Sequence, residues 1–175
     1  QIRGLPNLKN EQQLDFLKIG GATIFALLFM LFLHFQSWKL SFLILMEIPL
    51  SVMGSLILLH LFDESVNIMS LAGIIISLGI VVNDSILKMD LIQQLLKTEN
   101  YGLETAVLQA SKKRFLPIIL TSLSTVLAVI PIFWSPSFGN QLQIPFALSL
   151  IGGMSVSTFT SLFLLPKWIL WLKFY

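Results

Sequence analysis

Asn83 and Asp84 stand side by side inside an apolar run that begins near Ile68. Placing an ionisable side chain near the middle of a membrane span costs about 2.5–3.5 kcal/mol on insertion scales. A sequence this apolar carries such a residue for a reason, so Asp84 is a candidate functional group. A carboxyl kept dry among packed helices is placed to take up and release protons. Ser70, Ser77 and Asp84 recur every seven residues and share one helix face. Gly73 and Ser77 on nearly the same face allow a neighbouring helix to approach closely. Lys88 lies one turn beyond Asp84, where it either snorkels to the membrane surface or pairs with that carboxylate. Asp90 falls at the water boundary.

A second polar line runs along a later segment. Arg114, Thr121 and Thr125 are spaced by seven and four, so they too lie on one face. Such a line can pass hydrogen bonds between water and a buried carboxylate. Arg114 also suits a plain electrostatic anchor. Hydroxyls within a span often bond their own i−4 carbonyl, which is the simpler account of Ser122, Ser124 and Thr125. Glu47 sits about seven residues into another apolar segment, where an anchor at the headgroups is favoured over a relay role. His34 and His60 are isolated at segment ends, and the six Met residues lack partners at ligand spacing, so no metal site is expected.

Composition supplies the setting. Of 175 residues, 55% are hydrophobic and 11% charged, and mean hydropathy is +0.85. Soluble domains run about 25% charged, so the fold class is all-α, a polytopic membrane helical bundle. The sequence contains no cysteine, which excludes disulfide scaffolds and thiolate metal sites. Its net charge of +2 gives no sign of nucleic-acid binding. It begins at Gln1 with no signal-peptide pattern and reads as a piece of something longer.

Five spans are expected. Residues 1–13 form a polar lead-in, and 14–175 form the bundle. The first span covers Phe16–Phe35, long enough for about 30 Å of hydrocarbon, with Trp38 at the interface. The second runs from about Leu40 to Phe62, kinked by Pro49. The third covers Ile68–Leu87 and continues as a helix to Lys97. A connector at about 97–113 contains Leu103–Ala110, either an amphipathic helix on the membrane surface or a solvated connector helix. The fourth span is Phe115–Phe133 and the fifth is Ile144–Leu165, ending near Pro166. Gly152, Gly153 and several Ser and Thr residues make the fifth a close-packing helix. Lys39, the 97–114 region, Lys167 and Lys173 fall on one side; Asp63, Glu64 and the uncharged 134–143 loop fall on the other. The positive-inside rule then places the C-terminus in the cytoplasm and residues 1–13 outside, with Arg3, Lys9 and Lys18 as exceptions that a preceding translocated domain would permit.

These segments resemble a known family. Residues Ser70–Asp90 are similar to the fourth-or-tenth helix signature of resistance-nodulation-division (RND) efflux permeases of the AcrB-like kind. Lys113–Ser122, with its Arg-x-x-Pro at Arg114–Pro117, resembles that family's eleventh helix. Ile151–Thr158, closing with Leu164-Leu-Pro166, resembles the twelfth. The resemblance implies helices eight to twelve, the C-terminal transmembrane part of a proton-driven multidrug exporter in the bacterial inner membrane. It implies no cofactor beyond the proton-motive force. The implied partners are the N-terminal half of the same polypeptide, two further copies in a homotrimer, a periplasmic adaptor, an outer-membrane channel and the lipid bilayer. The resemblance implies that a pair of aspartates on the family's fourth helix, outside this chain, carries the protons. The relay candidates here are Asp84, Asn83, Arg114, Thr121 and Lys88, with Asp84 either protonated, relaying protons or paired with a cation. Arg114 and Thr121 match the family's relay Arg and Thr, whereas Asn83 stands where many drug exporters have Lys. The rival readings are a metal-ion or lipid exporter of the same superfamily and a non-transporting, sterol-sensing-like scaffold. An intramembrane enzyme is not expected, because no Ser/His, His-Glu-x-x-His or paired aspartyl motif is placed for catalysis.

Overall fold

Long apolar segments must satisfy their backbone hydrogen bonds internally once in lipid, and helices do so. The computed structural model describes residues 25–26, 28–98, 101–134 and 140–172. Its elements are all helical: α1 over 28–35, α2 Trp38–Leu45, α3 Glu47–Leu61, α4 Ile68–Thr98 and α5 Leu103–Val129. A 3-10 turn at Ile130–Trp134 follows, then α6 Asn140–Phe159, a π-helical turn at Thr160–Leu164, and α7 Leu165–Leu172. Four segments are long and apolar enough to cross a membrane among the described residues: Trp38–Leu61, Ile68–Lys97, Leu103–Trp134 and Gln143–Trp171. Half of the expected first span and half of the 134–143 loop lie outside the described residues, as do the 1–13 lead-in and Lys173; residues 140–143 of that loop are the start of α6.

The chain divides into two compact units, residues 1–42 and 43–175. In the first, Phe32 and Trp38 stack with ring centroids 4.1 Å apart. Between them Gln36 takes a left-handed conformation that ends α1.

In the second unit, local signals set the helix ends. Between α2 and α3 the helix is interrupted at Met46. Pro49 lies just beyond, and its missing N–H leaves the Leu45 carbonyl without its helical donor. At the other end of α3, Asp63 is left-handed. The Asp63 N–H bonds the His60 carbonyl and the Glu64 N–H bonds the Leu59 carbonyl, closing a Schellman turn. Asn67 caps α4: its side chain accepts from the Ser70 N–H at 2.9 Å, and the Asn67 N–H donates to Ser70 Oγ at 2.8 Å. Ser70 is thus a capping residue rather than the outer end of a polar track.

Two expectations change. Leu103–Ala110 is not a separate surface helix, because α5 runs unbroken from Leu103 to Val129. Ala106, Val107 and Ala110 are buried as its first turns, and α5 packs against α4 and α7. The last span does not end at Pro166 either. The π turn widens the helix just before the proline, and α7 continues beyond it.

Helix α6 is the centre of the unit, with α3 and α4 both packed chiefly on it. The contacts need small residues. A Cβ on Gly152 would meet the Gly54 carbonyl, and one on Gly153 would meet Ser77 and Ser55. Ser55 Oγ donates to the Ser149 carbonyl at 2.7 Å, and Ser51 Oγ to the Gly153 carbonyl at 3.3 Å. Small side chains let the backbones approach and hydroxyls then bond across the seam. Gly153→Leu is expected to destabilise the bundle by about 1–3 kcal/mol through overpacking. A thermal melt in detergent checks this, and an unchanged midpoint contradicts it.

Candidate functional site: a buried polar cluster in the helix bundle

The buried stripe of α4 passes through Ser70, Ile74, Ser77, Val81, Ser85, Lys88, Ile92 and Leu95. A strict seven-residue repeat drifts about 20° per heptad around a straight helix. Over two heptads that turns Asp84 about 40° off the Ser70 line, whereas Lys88 lies five full turns from Ser70 and back on it; Ser85 is buried beside that line. Asp84 is left half-buried at its flank, and Asn83 is exposed. Arg114, on α5, is near enough for its charge to act on Asp84.

Thr121 lies two turns further along α5 on an exposed face, where its hydroxyl donates to the Pro117 carbonyl at 2.6 Å. Thr125 bonds the Thr121 carbonyl at 2.8 Å. Ser122 Oγ bonds its own Ile118 carbonyl at 2.9 Å and also meets Thr158 Oγ1 on α6. The Thr121 face of α5 is turned away from the other described helices.

Lys88 and Glu47 depart most from expectation. Lys88 does not snorkel: it is fully buried, and its Nζ donates to the Ser161 carbonyl at 2.5 Å. Its nearby carboxylate is Glu47, whose charge acts on it. Glu47 is no headgroup anchor. It too is fully buried, and Ser85 Oγ donates to its Oε2. A charge removed from water in this way needs a partner of opposite sign and hydrogen bonds to its remaining lone pairs.

The π turn explains why Ser161 receives the lysine. The Leu165 N–H bonds the Thr160 carbonyl, five residues back. The next donor in that register belongs to Pro166, which has no N–H. The Ser161 carbonyl is left without a helical donor, and the Lys88 ammonium occupies the vacant position. Helices α3 and α4 and the π turn are thus joined by Glu47, Ser85, Lys88 and Ser161. Two buried atoms of this group lack a partner among the described residues: Glu47 Oε1 and Ser161 Oγ.

Sequence reasoning weighed Glu47 and favoured the headgroups, although a signal for burial was present. Residues 47, 51, 54 and 55 are Glu, Ser, Gly and Ser, at the spacing of one helix face, and that face is the buried one. No group of three or more His, Cys, Asp or Glu that could hold a metal ion occurs among the described residues.

Comparison with known proteins fits this architecture. The chain is 33% identical over 145 residues to the multidrug resistance protein MdtC of Erwinia amylovora, covering 83% of this chain and 14% of that protein. It is 30% identical over 145 residues to MdtC of Klebsiella pneumoniae, with the same coverage. The chain thus spans about one seventh of the length of these curated relatives. Among solved structures, a heavy metal efflux pump superposes with a TM-score of 0.81 at 26% identity, over 95% of this chain and 16% of the pump. The sequence model of the AcrB/AcrD/AcrF family matches residues 4–173, nearly the whole length. The chain belongs to the AcrB/AcrD/AcrF family, the resistance-nodulation-division permeases whose helix signatures it resembles.

Proposed function

We propose that this chain is part of the transmembrane region of a proton-driven multidrug exporter, working by transport rather than catalysis. One observation carries the reading: an ionisable residue, Asp84, lies within the apolar Ile68–Lys97 segment under the influence of Arg114 on the adjoining helix. Intramembrane charges are costly and mark ion or substrate paths. Asp84 exchanges protons, Arg114 tunes its charge, and Asn83 and Thr121 offer hydrogen bonds on faces that the rest of the polypeptide covers. Lys88 belongs to the same charged region of α4, one turn further on. Proton binding then favours one helix arrangement over another, and that difference drives export. The exporter is multi-pass in the bacterial inner membrane, with the C-terminus of this segment in the cytoplasm. Its partners are the N-terminal half of the same polypeptide, two more copies in a trimer, a periplasmic adaptor and an outer-membrane channel.

Heavy-metal export is the second reading, favoured by the 0.81 TM-score to a pump of that kind. Cells dependent on the full transporter are to be loaded with an amphiphilic dye or challenged with heavy-metal ions. Dye export that stops when a protonophore collapses the proton gradient supports the first reading. Resistance to metal alone supports the second, and dye export that persists without the gradient contradicts proton coupling. In the same assay, Thr121→Ala is expected to lower export several-fold at unchanged membrane abundance. Full export by that variant removes Thr121 from the relay.

A further inference from the structure

We propose that Glu47 is a second proton-binding site, taking up one proton on Oε1. The proposal builds on the proton-coupling reading above but concerns a different helix and a different carboxyl.

Three features of the site carry it. First, an ionised carboxylate has about four acceptor positions to fill, yet Glu47 receives Ser85 on Oε2 and nothing on Oε1 among the described residues. A purely structural buried ion pair holds its geometry by satisfying both oxygens. An oxygen left open inside the bundle is where an O–H bond can form. Second, Lys88 is not committed to Glu47. Its ammonium hydrogen-bonds the Ser161 carbonyl, which the π turn and Pro166 have left without a helical donor. The lysine therefore keeps a strong acceptor when Glu47 loses its charge. Third, Ser161 Oγ is also buried and unpartnered, beside the carbonyl that Lys88 occupies. It provides a further polar position if the ammonium shifts.

The charged groups acting on Glu47 are Lys88 and Asp84, both from α4. Helix α6 and the π turn contribute no charged residue. In the step itself, a hydronium ion gives up one proton to Glu47 Oε1. One O–H bond forms, one breaks, and Glu47 passes from −1 to neutral. Lys88 stays protonated and bonded to Ser161. Protonation ends the charge attraction between α3 and α4 while α4 remains tied to the π turn, so the proton changes which helices move together.

The test is infrared difference spectroscopy of the full transporter in lipid vesicles, recorded between acidic and alkaline endpoints. The expected result is a titrating carboxylic-acid carbonyl band that Glu47→Gln removes, distinct from any band removed by Asp84→Asn. Glu47→Asp is expected to move the band rather than abolish it, and it serves in place of Glu47→Gln if that variant fails to fold. A Glu47→Gln spectrum superimposable on the parent across the whole range overturns the proposal, as does a band unmoved by Glu47→Asp. The measurement needs neither substrate nor a proton gradient. A Glu47 band in a transporter that exports without protons would defeat the proposed function and leave this inference standing.

Discussion

Lys88→Ala is expected to destabilise the helix bundle by about 1–3 kcal/mol, the usual cost of leaving a buried acceptor without its hydrogen bond. Two losses contribute. The Glu47 carboxylate stays fully buried with its nearby cation gone. The Ser161 carbonyl, deprived of a helical donor by Pro166, loses the ammonium that replaced it. Glu47→Met combined with Lys88→Met should recover most of the loss, because an apolar pair of similar volume leaves no unpaired charge. Denaturation of the purified protein in detergent gives the three stabilities, and the double-mutant cycle gives the coupling between the two sites. A Lys88→Ala protein within about 0.5 kcal/mol of the parent, as for an ordinary surface change, would show that the lysine is not held where the structure puts it.

Asp84→Asn is expected to reduce export to background while leaving the protein in the membrane at full abundance. Asparagine matches aspartate in size and still offers hydrogen bonds, but it cannot gain or lose a proton in this range. Asp84 is half-buried at the flank of the core stripe, so the packing of α4 hardly depends on its charge. Export measured alongside membrane abundance separates the loss of proton exchange from the loss of protein. An Asp84→Asn transporter that exports at the parent rate removes the carboxyl from the mechanism.

How much of this could be read from the residues varies along the chain. The helical class and the later apolar segments follow from composition and length, because lipid leaves the backbone few alternatives. The close α3–α6 seam was half legible: Gly152 and Gly153 announce a small-residue face on one helix. Their partner surface, Ser51, Gly54 and Ser55, shows the same pattern on another. Leu103–Ala110 misleads because an amphipathic stretch looks alike on a membrane surface and as the first turns of a longer helix. Pro166 misleads for a different reason. A proline ordinarily ends or kinks a helix, and here a π turn accommodates it.

The charged cluster was the least legible feature. Glu47 and Lys88 lie 41 residues apart on helices whose relative rotation is set by tertiary packing. Periodicity within α4 pointed to Asp84, because Ser70, Ser77 and Asp84 fall on a heptad. The buried line takes in Ser85 and Lys88 and leaves Asp84 half-buried at its flank, an outcome set by the packing of α6, α5 and α3 around α4 rather than by the heptad. The donor that Pro166 cannot supply was visible in the sequence, but its use by a lysine on another helix was not.

Proton movement during transport tests the central claim most directly. The full transporter is to be reconstituted into vesicles with a pH-sensitive dye trapped inside, and a drug gradient imposed across the membrane. Drug leaving down its gradient should drive protons the other way in the parent protein, with no such signal from Asp84→Asn. Drug flux without proton movement in the parent, or an undiminished proton signal from Asp84→Asn, contradicts a transport cycle driven through this carboxyl.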